Sequence, residues 1–353
     1  MRAVPRQGGG ARVTAEDAVR AVLSDPSLLT VVAQPLVDLT TGGVAGYEAL
    51  ARVPAEWDVA PDRLFAAAHR LGGSAALQAH VCEAVLRLLP ELPGDTFLTV
   101  NVDPGDLVAA GAVAPLLARR SLTRLVVEIT EHAWPDDTAP VDEVVARLRA
   151  AGALVAADDV GAGYAGLHQL MRLRPDMVKV DRGLVRELGD DPAAELLVQV
   201  LGELCSHLDA WVVVEGVETE TQLAALARLG VPIGQGWLLG RPAAPWAGCA
   251  DPELVRRRAR MARVEDTVAS LLDTAPLGHV RDDVGTYWLL GDDGAVRATV
   301  MAPSTPVVDA AQRAVARGPR ERWSPLLVTS RTGEVLGHVR VESLVTALAR
   351  AAR

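Results

Sequence analysis

Between about residues 31 and 242 the chain alternates short apolar runs with longer stretches of helical period, and this alternation most narrows what it can fold into. Strand-sized segments joined by helix-sized ones are how parallel strands are linked through crossover helices. Eight segments read as strands: VVAQPLVDL (31–39), VAGYEALARV (44–53), FLTVNV (97–102), LVVEIT (125–130), ALVAAD (153–158), MVKVD (177–181), WVVVEG (211–216) and PIGQGW (232–237). Only Thr-Thr-Gly-Gly separates the first two, enough for a hairpin and too little for a parallel crossover, so that pair is expected to be antiparallel.

Eight strands in this spacing predict an α/β fold, a TIM-like (β/α)8 barrel with an antiparallel first strand pair. Buried strands should be apolar throughout unless a site requires otherwise, and here polar residues interrupt them at their C-terminal ends. Glu48, Asn101, Glu128, Asp158 with Asp159, Lys179, Glu215 and Gln235 each fall at or near the end of a different strand, the rim where barrels build their sites.

Two carboxylates about 4 Å apart repel by roughly 4 kcal/mol at an effective dielectric near 20, so such a cluster calls for cations. Asp, Glu and Asn oxygens suit Mg²⁺ or Mn²⁺, and the lack of a His or Cys cluster disfavours zinc. Two adjacent ions could activate a water and neutralise a phosphodiester oxygen, with Lys179 binding the water or a phosphate oxygen and Glu215 accepting a proton or ligating. This chemistry suits hydrolysis of other phosphates almost as well, so composition leaves the substrate open.

Composition narrows the partners. With a formal net charge of -10 and 3% aromatic residues, the chain offers little to polymeric nucleic acid or to an anionic membrane surface. Cys82, Cys205 and Cys249 have no metal-like spacing, and an odd count argues against a disulfide framework. No apolar run reaches membrane-spanning length and the N-terminus lacks a signal-peptide core, so a cytoplasmic setting is expected.

Taken singly, several of these residues have plainer readings. Lys179 could pair structurally with Asp158 or Asp181, Asn101 could cap a turn with Asp103 and Pro104, Gln235 could be a turn residue, and Arg52 could pair with Glu56. Their joint placement reverses the preference.

QPLVDLTTGGVAGYEALAR, VNVDP, VEIT followed by Glu131, DDVGAGYAGL, VKVD, VEGVET and QGWLLGRP occur in the order in which the EAL-domain cyclic di-GMP phosphodiesterases carry them, and the chain resembles that family over about residues 28–245. The resemblance implies that Glu48, Asn101, Glu128 and Asp158 coordinate metal and that Asp159 is shared with a second ion. It implies that Lys179 orients the water and that Glu215 is general base or metal-linked acid. Gln235 would then lie near the reactive phosphate, Gln34 and Arg52 would hold substrate, and Glu131 and Glu218 would steady the loop after the fifth strand. The implied reaction is hydrolysis of cyclic di-GMP to linear pGpG with two Mg²⁺ or Mn²⁺ ions, in a homodimer. The alternative is a catalytically inactive cyclic di-GMP receptor using the same pocket; Asp159, Lys179 and Glu215 together favour the enzyme. The chain departs from the family at Val160 and Ala162, where Phe and Thr are common, and Val-Asp-Pro follows Asn101 in place of Leu-Ser-Pro.

Around this barrel (28–250) the sequence predicts an N-terminal helix or flexible segment (1–27), a linking helix (251–273) and a smaller α+β module (274–353). The module shows hairpin-like segments at 287–300 and 325–341, a helix at about 306–318 and a closing helix from VESLVTALARAA. Its second half resembles half of a CBS domain, which implies a nucleotide or other effector site or a dimerising role. The Arg-rich run 256–263 reads as a solvated helix face, and the second Asp-Asp-Val-Gly at 282–285 as a turn.

Overall fold

The computed structural model describes residues 13–130, 134–135, 137–160, 166–261, 267–291, 294–319 and 321–351. Eight strands close a barrel in sequence order: β1 (Thr30–Asp38), β2 (Val44–Arg52), β3 (Phe97–Val102), β4 (Leu125–Thr130), β5 (Leu154–Val160), β6 (Met177–Val180), β7 (Trp211–Val214) and β8 (Ile233–Gly234). β1 runs antiparallel to both neighbours, β2 and β8, and the remaining pairs are parallel. The helices between them cover the outside.

Strand alternation explains which residues reach the mouth. Outward positions such as Leu125, Val127 and Ile129 pack against the helices, while the intervening inward positions fill the barrel. Phe97, Val126, Leu154, Ala156, Met177, Val213 and Ile233 form the interior apolar layer. Two residues further along the same strands stand Glu128, Asp158, Lys179, Glu215 and Gln235. Phe97 closes the floor because Gly46 opposite it has no side chain: a Cβ there would sit 2.5 Å from the Phe97 ring.

The segment before β1 is part of the barrel unit. Helix Ala15–Ser24, capped by Thr14 accepting from the Asp17 amide, buries Ala18, Val19 and Val22 in the barrel's outer core. The expected linking helix over 251–273 is shorter: a helix spans Pro252–Met261, and by Thr267 the chain bridges to Pro306 in the C-terminal module. Val268, on the short 3₁₀ turn Val268–Leu271, lies in that module's core, so burial there ends the solvated helix. Arg256, Arg257 and Arg258 pair with Glu253 and Glu220, which makes this run a salt-bridged face.

The module holds two three-stranded sheets. The first is antiparallel, from β9 (His279–Arg281), β10 (Tyr287–Gly291) and β11 (Gly294–Arg297); the second orders β12 (Val300–Met301), β13 (Leu326–Thr329) and β14 (Val335–Val339), with β12 parallel to β13. Helices Val307–Ala316 and Val341–Ala351 cover the second sheet. The Asp282–Gly285 segment is a turn, with Asp282 accepting from the Val284 and Thr286 amides and from Trp288 Nε1.

The module packs on the barrel's lower end. Arg281 bonds Asp176, which precedes β6; Arg331 bonds Asp38 at 2.7 Å, at the end of the antiparallel β1; Arg297 faces Asp209, which precedes β7; Thr332 reaches Asp95, before β3. All four acids lie opposite the polar strand ends.

Candidate active site

Lys179 is the hub of the mouth. Only 2% of its side chain is exposed, and its Nζ lies 2.6 Å from Glu215 Oε1, 2.8 Å from Glu128 Oε2, 3.2 Å from Asp158 Oδ1 and 3.7 Å from Glu48 Oε1. The Glu128 contact is a buried hydrogen bond, and the shorter Glu215 contact is an ion pair. Burial alone would lower the ammonium, but the Asp158, Glu128, Glu215 and Glu48 carboxylates outweigh it and hold its pKa well above the ordinary value. It pairs with Asp158, as one reading of the sequence allowed, and with three further acids.

Each carboxylate has a different setting. Burial pushes Glu128 well above the usual range in spite of Lys179. Burial likewise pushes Glu215 up to about 7. For Glu48 burial also acts upward, but Lys179, Gln235 and Asn101 override it and the carboxyl stays below its usual value. Its partners flank β2 on either side, from β3 and from the end of β8: Asn101 Nδ2 donates to Oε1 at 2.8 Å and Gln235 Nε2 to Oε2 at 2.6 Å. Asn101 therefore serves a side chain on the neighbouring strand β2 and not a local turn.

At the end of β5 the ladder to β6 shifts register between Ala157 and Val160, and Asp159 takes a left-handed conformation, φ +58°. For a non-glycine this costs about 1–3 kcal/mol. The bulge places two consecutive carboxylates at the mouth where plain alternation would bring only one. Asp158, Asp159 and Glu215 each supply an oxygen within 4.8 Å of the others.

This donor set fits a divalent cation. It is all oxygen, and Glu128 Oε1 and the Gln235 side-chain carbonyl are buried acceptors without a hydrogen-bond partner.

The other sequence candidates are placed apart from this centre. Gln34 faces Glu48 across the β1–β2 ladder, and its Nε2 is held by Gly240 O at 2.9 Å. Arg52 is half-buried at the end of β2, donates to Ala51 O, and does not bond Glu56; burial lowers its pKa, opposed by Glu48 and Asp62. Glu218 is exposed, with its amide bonded to Gln222 Oε1, and its side chain does not join the cluster. Glu131 and Ala162 lie outside the described residues.

Two glutamines escaped the sequence reading. Gln78, on the helix Ser74–Leu88, is buried and donates to Asn101 O at 2.9 Å, fixing the end of β3. Gln222 closes a capping box with Thr219 and holds the Glu218 and Thr219 amides, setting the loop after β7. The Thr-x-x-Gln spacing signalled the second; only a polar residue on an otherwise apolar helix face hinted at the first.

Fold and mouth together define a closed-barrel protein with a carboxylate-and-lysine site at the C-terminal ends of its strands. The model of the EAL domain matches residues 16–242, and the chain belongs to the EAL-domain family. It is 34% identical over 221 residues to the bifunctional diguanylate cyclase/cyclic di-GMP phosphodiesterase MucR of Pseudomonas aeruginosa, covering 59% of this chain and 32% of that one. A solved MucR phosphodiesterase in complex with c-di-GMP is 31% identical with a TM-score of 0.57, over 64% of this chain and 96% of that one. The manganese and c-di-GMP complex of Klebsiella pneumoniae BlrP1 at pH 6 is 31% identical with a TM-score of 0.55, over 61% of this chain and 56% of that one. The chain spans about a third of the length of the curated relatives it matches. Among the described residues no helix is long and apolar enough to cross a membrane.

Proposed function

We propose that the barrel hydrolyses cyclic di-GMP to linear pGpG with divalent metal. The reading rests on one observation above all: buried oxygens of Glu128 and Gln235 without a hydrogen-bond partner stand beside the Asp158–Asp159–Glu215 cluster. Glu48, Asn101, Glu128, Asp158 and Asp159 would hold one or two Mg²⁺ or Mn²⁺ ions, which supply Lewis acidity toward water and the phosphoryl oxygens. Asn101 would then turn its amide oxygen to the ion.

In the proposed reaction the Lys179 ammonium orients the attacking water and Glu215 takes its proton. Water oxygen bonds to phosphorus as the bond from phosphorus to the 3′ oxygen breaks, leaving a 5′-phosphate and a 3′-hydroxyl that gains a proton. Gln235 and Arg52 bind phosphate oxygens, and Gln34 lines the substrate side. Glu131 and Glu218 support the loop after β5. The proposal includes a homodimer in the cytoplasm, and a CBS-like C-terminal module as a place for an effector.

Purified chain with cyclic di-GMP and Mg²⁺ or Mn²⁺ should form pGpG, with EDTA and Glu48→Ala each abolishing it. Saturable binding of cyclic di-GMP with no product in either metal would replace the enzyme reading by the receptor one.

A further inference from the structure

We propose that the seam between the barrel's base and the C-terminal module is a binding site for a small phosphate-bearing anion, held by Arg313 and Arg317. A cavity of about 240 Å³ opens there, lined by Ser206 and His207 at the end of the helix Pro192–His207, by Arg297 and Thr299, and by the two arginines from the end of the helix Val307–Ala316.

Both guanidiniums are anchored with donors to spare. Arg317 gives Nε to Ala314 O and Nη2 to Arg322 O and Ser324 O, while Arg313 gives Nη1 to Val300 O. Arg313 Nε and Arg317 Nη1 remain buried without a partner. A guanidinium cannot shed its proton to escape, so each orphaned donor keeps its desolvation cost. Burial accordingly lowers the pKa of both, with nearby acids only partly offsetting it.

Local acids do not fill the need. Asp209 is on the cavity wall, but its carboxylate already accepts from the Val300 amide at 3.1 Å and faces Arg297 at 3.6 Å. Glu321 also lines the cavity, yet neither Arg313 nor Arg317 forms an ion pair with it or with any other acid among the described residues. Fixed arginine forks with free N–H groups match the oxygens of a phosphate, with charge-assisted hydrogen bonds to each.

The space also favours an ester. A second cleft of about 670 Å³ shares Ser206, His207, Asp209 and Arg313 with the first and continues past Met301 and Pro306. A phosphate seated on the arginines could place its organic group there. This site lies at the barrel's base, so the inference stands whether or not the mouth hydrolyses cyclic di-GMP.

The test is calorimetric titration of the full chain in EDTA and chloride buffer with two probes, inorganic phosphate and adenosine 5′-monophosphate. Saturable binding of either is expected, weakened at least about tenfold by Arg313→Gln and by Ser206→Asp. The second variant sets a negative charge on the wall without removing a structural arginine, and circular dichroism checks that each is folded. Tighter binding of the monophosphate identifies an ester as the ligand; equal binding identifies the free ion. Absence of binding by both probes overturns the site, as does binding unchanged in folded Ser206→Asp.

Discussion

Replacing Lys179 by methionine keeps an unbranched chain of similar length and removes the one charge that faces four carboxylates. At about 3 Å and an effective dielectric near 20, each close pair contributes roughly 5 kcal/mol of attraction. The ammonium's own desolvation, several kcal/mol, offsets much of that sum in the native protein. In the variant nothing offsets the carboxylates: Glu128 stays fully buried, with Glu48, Asp158 and Glu215 converging on the same empty position. Breaking a buried pair from one side costs about 3–5 kcal/mol, and that is the destabilisation expected from urea unfolding in EDTA at neutral pH. Mn²⁺ should recover part of it by supplying the missing positive charge, while hydrolysis of cyclic di-GMP falls by about a hundredfold or more. A Lys179→Met chain within about 0.5 kcal/mol of the parent in EDTA would show that the lysine does not neutralise the mouth, and the reasoning would fail.

Asp209 carries a pH signature far from the mouth. Burial pushes its pKa up to about 6 from the ordinary aspartate value, so between those two pH values the folded chain holds a proton that the unfolded chain has lost. Stability should therefore fall by about 3 kcal/mol as pH rises from about 4 to about 6, and Asp209→Asn, which keeps an oxygen for the Val300 amide, should flatten that slope in urea unfolding across pH. Gly236, at φ +155°, has no room for a Cβ, which would lie 2.2 Å from Val217 backbone atoms; Gly236→Ala should cost about 3 kcal/mol or more and displace Gln235, read as lower stability together with lost turnover. Asp176 accepts from the Val155 amide and faces both Arg149 and Arg281, so Asp176→Ala should destabilise by about 3–5 kcal/mol, with Arg281→Ala costing less because its pair is partly solvated.

The barrel was legible because burial writes itself into strands as apolar runs, and because a four-residue connection cannot carry a parallel crossover. Less legible were the segments whose periodicity is right but whose partner is remote. Ala15, Ala18, Val19 and Val22 have plain helical spacing, yet nothing local says that this face joins the barrel's core. The Arg-rich helix after the barrel reads as continuing to 273, whereas Val268 turns inward to meet helix residues some forty positions later. The module's seat was hidden for the same reason: Arg281, Arg297 and Arg331 look like ordinary surface charges until the fold brings Asp176, Asp209 and Asp38 opposite them.

The mouth was easier to read than the base because a two-residue period ties it to the core. On β4, β5, β6, β7 and β8 an apolar inward residue is followed two positions later by a polar one: Val126 by Glu128, Ala156 by Asp158, Met177 by Lys179, Val213 by Glu215, Ile233 by Gln235. A register slip of one residue would turn every pair outward at once, burying charge against helices and emptying the interior layer. The packing that fills the lower barrel therefore also fixes which side chains meet at the mouth. Asp159 escapes that rule, since only the bulge brings it round, and its neighbour Val160 is buried in the outer core. Where the family commonly has a phenylalanine, the smaller Val160 leaves less side chain to wedge the bulge in place. Val160→Phe thus tests whether packing behind Asp159 sets the turnover: a rise in hydrolysis with unchanged cyclic di-GMP affinity would support that link, and unchanged hydrolysis in a folded variant would refute it.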